Sequence, residues 1–335
     1  MRNIILLLFV SLWLSSCGQN KQPVPPRPDC SRTEIIVPNK NVSCSDNTAA
    51  HTIDSLKNVQ DSAIVASIVG VKMRFHCDKD TTKITQLLNM GLNKGPKDAN
   101  GLVYYYAGKL LGTPYVAHTL EGPNEMLTIN IHQLDCTTFV ETLYALARTT
   151  LNGSTSWRDY ARNLENLRYR GGNMGDYSTR LHYMSDWIID NSKRGNIVDV
   201  TDSIACHSDK VVTLNYMTTH RSSYSSLSSD SIYKKIQKIE SGYRNHHFPY
   251  IKKANLNSAD VKKVVKRGDF VGLVTTMNGL DLSHLGIIDI DSKGNPVLLD
   301  ASSIGKKVML EKVDLKTHLA PRESCVGVRI FRMKP

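Results

Sequence analysis

Three short apolar runs crowded into the last third of the chain constrain its fold most: Gly268 to Val274, Ser283 to Asp289 and Pro296 to Asp300. Each is rich in branched or aromatic residues and bounded by Gly, Asp, Ser or Asn, the pattern of a strand. Ser292-Lys293-Gly294-Asn295 separates the second from the third and reads as a hairpin turn. Such a turn returns Asp300 to the end of the sheet where His284 begins its strand. Helical periodicity lies upstream: Thr81 to Leu92, Asn100 to Leu111, a helix opening at Cys136, a mainly helical stretch from Trp157 to Asn191, and later Ser229 to Ile239. This order predicts an α+β domain, long enough to bury a full core, with a helix packed on an antiparallel sheet and extra helical elements.

Cys136 stands in Gln133-Leu134-Asp135-Cys136-Thr137-Thr138-Phe139-Val140-Glu141. Phe139, Val140, Leu143, Leu146 and Ala147 recur at helical spacing, and Asp135, Thr137 and Thr138 supply first-turn signals. The thiol is therefore expected in the first turn, at the positive end of the helix dipole, where a thiolate is favoured and amide N–H groups can meet an oxyanion. The competing reading is a small buried hydrophobe, the usual fate of a free cysteine.

His284 and Asp300 shift that balance. A histidine opening a strand can project past the sheet edge toward a helix, and a carboxylate ending the next strand can hold its ring in the productive tautomer. Taken singly, His284 reads as a satisfied core histidine and Asp300 as a turn residue. Together with Cys136, each at an element terminus, they form the constellation of a cysteine hydrolase.

The run Leu-Asp-Cys-Thr-Thr-Phe-Val-Glu, followed by Gly-Asp-Phe-Val, His-Leu-Gly-Ile-Ile and Leu-Leu-Asp-Ala-Ser-Ser, resembles the NlpC-type, papain-like cell-wall cysteine peptidases. More narrowly it is similar to their N-acetylmuramoyl-L-alanine amidase-like branch. Leu111 to Tyr115 and Ser178 to Trp187 extend the likeness, which covers residues 80 to 335 in outline. The resemblance implies a papain-like cysteine hydrolase core with Cys136 as nucleophile, His284 as base and Asp300 as orienting residue. It implies cleavage of the amide between N-acetylmuramic acid and L-alanine in small muropeptides, anhydro forms among them. A stem-peptide endopeptidase cutting between D-glutamate and a diamino acid stays open, as do acyl transfer to lipid and a catalytically silent wall-binding lipoprotein. By the same likeness Tyr115 reaches toward the cysteine and the bound carbonyl, though a core tyrosine after a Gly-Thr-Pro turn is an equal reading. Arg180, His182 and Tyr183 are expected to line the cleft, with Arg180 pairing a substrate carboxylate in bidentate fashion. Asp135, Thr137 and Ser283, flanking nucleophile and base, are further candidates for substrate contact.

The amino terminus carries an export pattern: Arg2, an apolar run from Ile4 to Trp13, then Leu14-Ser15-Ser16-Cys17. It is too short to span a membrane and reads as a lipoprotein signal over residues 1–16, with Cys17 lipidated. Gly18 after the cysteine points, by resemblance to enterobacterial sorting, to an outer-membrane anchor facing the periplasm. Residues 17–78 follow as a proline- and serine-rich tether with an apolar edge element between Ala63 and Phe75, leaving 79–335 for the catalytic domain.

With Cys17 and Cys136 committed, five of the seven cysteines remain. Cys30 and Cys44 could close a loop, but an odd remainder fixes no pairing. Adjacent pairs such as His76-Cys77 and His246-His247 rarely point both side chains at one ion, and no Cys-x-x-Cys or His-Glu-x-x-His occurs; neither a metal nor another cofactor is expected. The formal net charge of +11 suits anionic lipid or wall fragments. Its lysines and arginines, Lys262-Lys263, Lys266-Arg267 and Lys306-Lys307 among them, are dispersed without a nucleic-acid module, so no nucleic-acid partner is expected.

Overall fold

The computed structural model describes residues 71–335. Alternating side-chain faces explain its centre. In strand β6 (Phe270–Thr275), Phe270 and Val274 face one apolar cluster while Val271 and Leu273 face another. Ile287 and Ile288 of β7 (Leu282–Ile290) divide the same way, as do Leu299 and Leu298 of β8 (Pro296–Ser302). A sheet covered on both faces needs apolar residues at successive positions, which is why these strands read as continuous hydrophobic runs.

The sheet has eight strands. Running outward from its middle, β10 (Cys325–Met333) pairs β6, β6 pairs β7, β7 pairs β8 and β8 pairs the edge strand β9 (Lys307–Asp314), all antiparallel. On the other side β5 (His246–Lys252) joins β10 to β4 (Ser208–Val212), and β3 (Ile197–Asp199) pairs the end of β10. A separate parallel pair joins β1 (Met73–Phe75) to β2 (Leu127–Ile129). Its residues are buried, so the packed body includes residues assigned from the sequence to the tether and its edge element.

One face of the sheet carries α1 (Lys79–Lys94), α2 (Ala99–Leu110), α3 (Cys136–Leu151), α4 (Trp157–Arg168) and α5 (Met184–Lys193). Tyr106, Leu143, Tyr160 and Trp187 are almost wholly buried there, each such side chain contributing about 1.5–3 kcal/mol relative to exposure. The mainly helical stretch from Trp157 to Asn191 consists of α4 and α5 joined by two short 3₁₀ turns; the extended backbone of Tyr169 ends α4, and Gly171 takes a left-handed φ of 63° in the first turn. The short α6 (Tyr216–Thr219) and the longer α7 (Asp230–Ser241) enclose a satellite cluster of Tyr177, Tyr183, Tyr216, Met217 and Ile236. The opposite sheet face is covered by α8 (Ala259–Val264) and α9 (Leu315–Leu319). No helix among the described residues is long and apolar enough to cross a membrane.

Candidate active site

Asp135 fixes where the reactive helix begins. Its carboxylate accepts from the Thr138 amide at 2.8 Å while the Thr138 hydroxyl accepts from the Asp135 amide at 2.9 Å, a reciprocal cap that makes Cys136 the first residue of α3. The cap occupies the Thr138 amide. Those of Cys136 and Thr137 have no hydrogen-bond partner among the described residues and lie at the positive end of the helix. The Cys136 sulfur is half-buried, 4.0 Å from the Thr137 hydroxyl.

The second component comes from the β7–β8 hairpin. Asp291 and Asn295 close its turn at 3.0 Å, and Gly294 takes the left-handed φ of 77° that the turn requires. Register then runs from Ile290 opposite Pro296 to Ile287 opposite Leu299, so the next pair sets Gly286 against Asp300 and puts His284 one step further along the same face. Gly286 has a steric reason. A β-carbon there would fall 2.8 Å from the Leu299 carbonyl and 3.1 Å from the Asp300 β-carbon. A register shift in the β6–β7 ladder at Ser283, directly before His284, re-aims the strand.

Asp300 Oδ2 lies 2.5 Å from His284 Nε2, which leaves Nδ1 free to turn toward Cys136, close enough for its charge to act on the imidazole. Burial alone would lower the imidazole pKa. The Cys136 charge, the hydrogen bonds to Asp300 and Cys136 and the Asp300 charge outweigh it and push the pKa up to about 10. The other carboxylate oxygen, Asp300 Oδ1, is buried without a hydrogen-bond partner among the described residues.

Gly112 to Tyr115 ties the two halves together. Gly112 and Tyr115 donate their amides to the Val308 and Lys306 carbonyls at 2.9 Å, and the Pro114 carbonyl accepts from Leu134 at 3.0 Å, two residues before Cys136. This crosspiece caps the start of edge strand β9 and carries Tyr115 to the site. Burial and the charges of Cys136, Asp135 and Asp300 raise the phenol pKa, keeping it a hydrogen donor.

Residues 105–325 match the AmiA-like family, described as N-acetylmuramoyl-L-alanine amidase-like. The chain belongs to this family. An N-acetylmuramoyl-L-alanine amidase from Bacteroides uniformis is 36% identical with a TM-score of 0.66, covering 71% of this chain and 99% of its own. A Bacteroides fragilis protein provisionally described as a xylanase is also 36% identical, with a TM-score of 0.64 over 68% of this chain and all of its own, 100%. A Legionella pneumophila protein shares the fold at 19% identity and a TM-score of 0.59, over 81% of this chain and 97% of its own. No curated protein matches the chain. The amidase-like family makes a cell-wall substrate the coarse functional assignment.

Not every residue expected at the site of this amidase-like chain stands free there. Arg180 is only 6% exposed, with Nη1 3.1 Å from Glu121, Nη2 3.4 Å from Glu125 and the guanidinium over the Tyr177 ring. It offers no free fork to a substrate carboxylate. Instead it anchors the segment between Tyr115 and β2. His182 bonds the Tyr177 carbonyl at 2.8 Å, and burial followed by the Arg180 charge lowers its pKa to about 3. The Tyr183 hydroxyl donates to Glu240 at 2.6 Å and accepts from the Met217 amide at 2.8 Å. These three therefore frame the satellite cluster. Asp135 is occupied by its cap, and the Ser283 hydroxyl points back to the Leu273 carbonyl at 3.5 Å. Thr137 does stand beside the sulfur.

Cys77, Asp80 and His132 bring potential ligand atoms within 4.8 Å of one another. Cys77, however, is disulfide-bonded, and the two oxygens of Asp80 accept from the Cys77 and Ile131 amides at 2.9 and 3.0 Å. Cys206 and Cys325 carry free thiols. The proposed lipidation residue Cys17, together with Cys30 and Cys44, lies outside the described residues.

Proposed function

We propose that the chain is a cell-envelope cysteine hydrolase that cleaves the amide joining N-acetylmuramic acid to L-alanine in peptidoglycan fragments. The observation that carries this reading is the imidazole of His284, held between Cys136 at a capped helix start and Asp300 at a strand end. That order of nucleophile-bearing helix, then base and orienting carboxylate on adjacent antiparallel strands, also supports the NlpC-type, papain-like placement.

The Cys136 thiolate attacks the lactyl carbonyl carbon, and the charge moves to its oxygen, which the free Cys136 and Thr137 amides and the Tyr115 phenol can meet. The C–N bond breaks as His284 Nδ1 gives its proton to the departing L-alanine amine. The lactyl group is left as a thioester on Cys136. His284, now neutral, takes a proton from water, whose oxygen attacks the thioester and releases the sugar acid. Asp300 keeps the ring oriented throughout without itself accepting the proton.

Glycoside hydrolysis, suggested by the xylanase description of one neighbour, takes two carboxyl groups flanking the scissile bond. Here the Asp300 oxygen is turned onto a histidine. The motif ending at Cys17 further supports a lipid anchor, and Gly18 after it, by resemblance to enterobacterial sorting, supports action at the outer membrane facing the periplasm.

A digest of a defined muropeptide by native protein and by Cys136→Ala, read by mass spectrometry, tests the assignment. Amidase action frees a peptide beginning with L-alanine. If L-alanine stays on the sugar while the peptide is cut further along, the enzyme is an endopeptidase; equal processing by both proteins removes Cys136 from the mechanism.

A further inference from the structure

The reactive trio has a second layer behind it. Asp300 lies opposite Met309 in the β8–β9 ladder, and Glu311 follows two residues along the edge strand, where a register shift between Leu310 and Asp314 interrupts the pairing. Glu311 Oε2 stands 3.5 Å from His318 Nδ1 on α9, with the two side chains only 17% and 11% exposed. His318 Nε2, like Asp300 Oδ1, is buried without a hydrogen-bond partner among the described residues. Two under-satisfied polar groups thus flank one carboxylate–imidazole contact, and burial of this kind is costly unless the groups act together.

Resting on the proposed cysteine mechanism, we infer that Glu311 and His318 are positioning residues, a carboxylate and an imidazole that hold the Asp300–His284 pair in its charged arrangement. Glu311 adds a second negative group behind Asp300 and so favours the imidazolium of His284; His318 fixes Glu311 from below. Neither touches substrate.

The groups around them agree. For Glu311, burial and the Asp300 charge raise the pKa, while Arg322 and His284 lower it. For His318, burial, Arg322 and His284 act against Asp300 and bring the pKa down to about 4, so this ring is neutral when the trio is charged. Cys136 and Tyr115 complete the charged and titratable surroundings of the His284–Asp300 pair.

The test is the pH dependence of Cys136 alkylation by iodoacetamide, which needs no substrate, alongside kcat/KM on the muropeptide. Glu311→Gln preserves shape and removes the charge. It should move the basic limb of the kcat/KM profile down by about half a pH unit, a factor of about three in the ionisation constant. Glu311→Asp should return part of the shift, and His318→Asn should reproduce part of it. A folded Glu311→Gln protein whose profiles superimpose on the native ones overturns the inference while leaving the trio intact. A native Cys136 that alkylates as an ordinary thiol, near the free-cysteine value of about 8.5, overturns the trio and this layer together.

Discussion

Gly286 makes room for Asp300: the residue opposite the carboxylate in the hairpin has no side chain, so the two strands close until Asp300 Oδ2 meets His284 Nε2 at 2.5 Å. Gly286→Ala would bring a methyl group against the Leu299 carbonyl and the Asp300 β-carbon. Overpacking of this kind costs about 1–3 kcal/mol. Thermal unfolding should register that loss, and muropeptide turnover should fall further than stability alone explains, because Asp300 is displaced from the ring.

Asp300→Ala should lower kcat by about 10²- to 10⁴-fold, the range associated with a positioned acid–base group. Asp300→Asn keeps an acceptor for Nε2 and should lose less. KM should change little in either, since Asp300 is 3% exposed and faces the imidazole rather than the cleft. Steady-state kinetics on one defined muropeptide separates the two parameters.

The raised pKa of His284 also has a stability consequence. Its folded-state value of about 10 lies above the ordinary 6.5, so the stabilisation is complete below about pH 6.5 and is lost as pH rises toward 10. The melting-temperature difference between native protein and His284→Gln should therefore shrink steadily across that window. A constant difference would contradict the charged pairing.

Under the reactive helix, Arg168 Nε lies 2.7 Å from Glu141, both side chains 3% exposed, and Arg168 also bonds the Thr128 carbonyl at 2.8 Å. Arg168→Met strands a buried carboxylate and should cost about 3–5 kcal/mol in urea unfolding. Adding Glu141→Leu should recover much of that loss, since the uncompensated charge is then gone.

The local chemistry was legible from spacing. Asp135 and Thr138 announce the helix start, and the turn around Gly294 announces the hairpin that returns Asp300 to His284; short-range rules decide both. The engagement of Arg180 is not legible in the sequence, because Glu121 and Glu125, which occupy its guanidinium, are distant in sequence and meet it only through tertiary packing. Strands β4, β5, β9 and β10 carry no comparably clear pattern. The edge strand β9 buries only part of one face, and Leu310 and Val313 stay exposed among lysines, which blurs its alternation. Glu311 and His318 gave no signal, since nothing in a single chain shows that the two will face one buried carboxylate.

The crosspiece from Gly112 to Tyr115 hydrogen-bonds both to the segment entering the cysteine helix and to a strand made long after that helix. A partly made chain can hold the helix yet lacks the ring and the edge that complete the site. Reactivity should therefore switch on only as the later hairpin and edge strand dock, so that the sulfur stays an ordinary thiol until then.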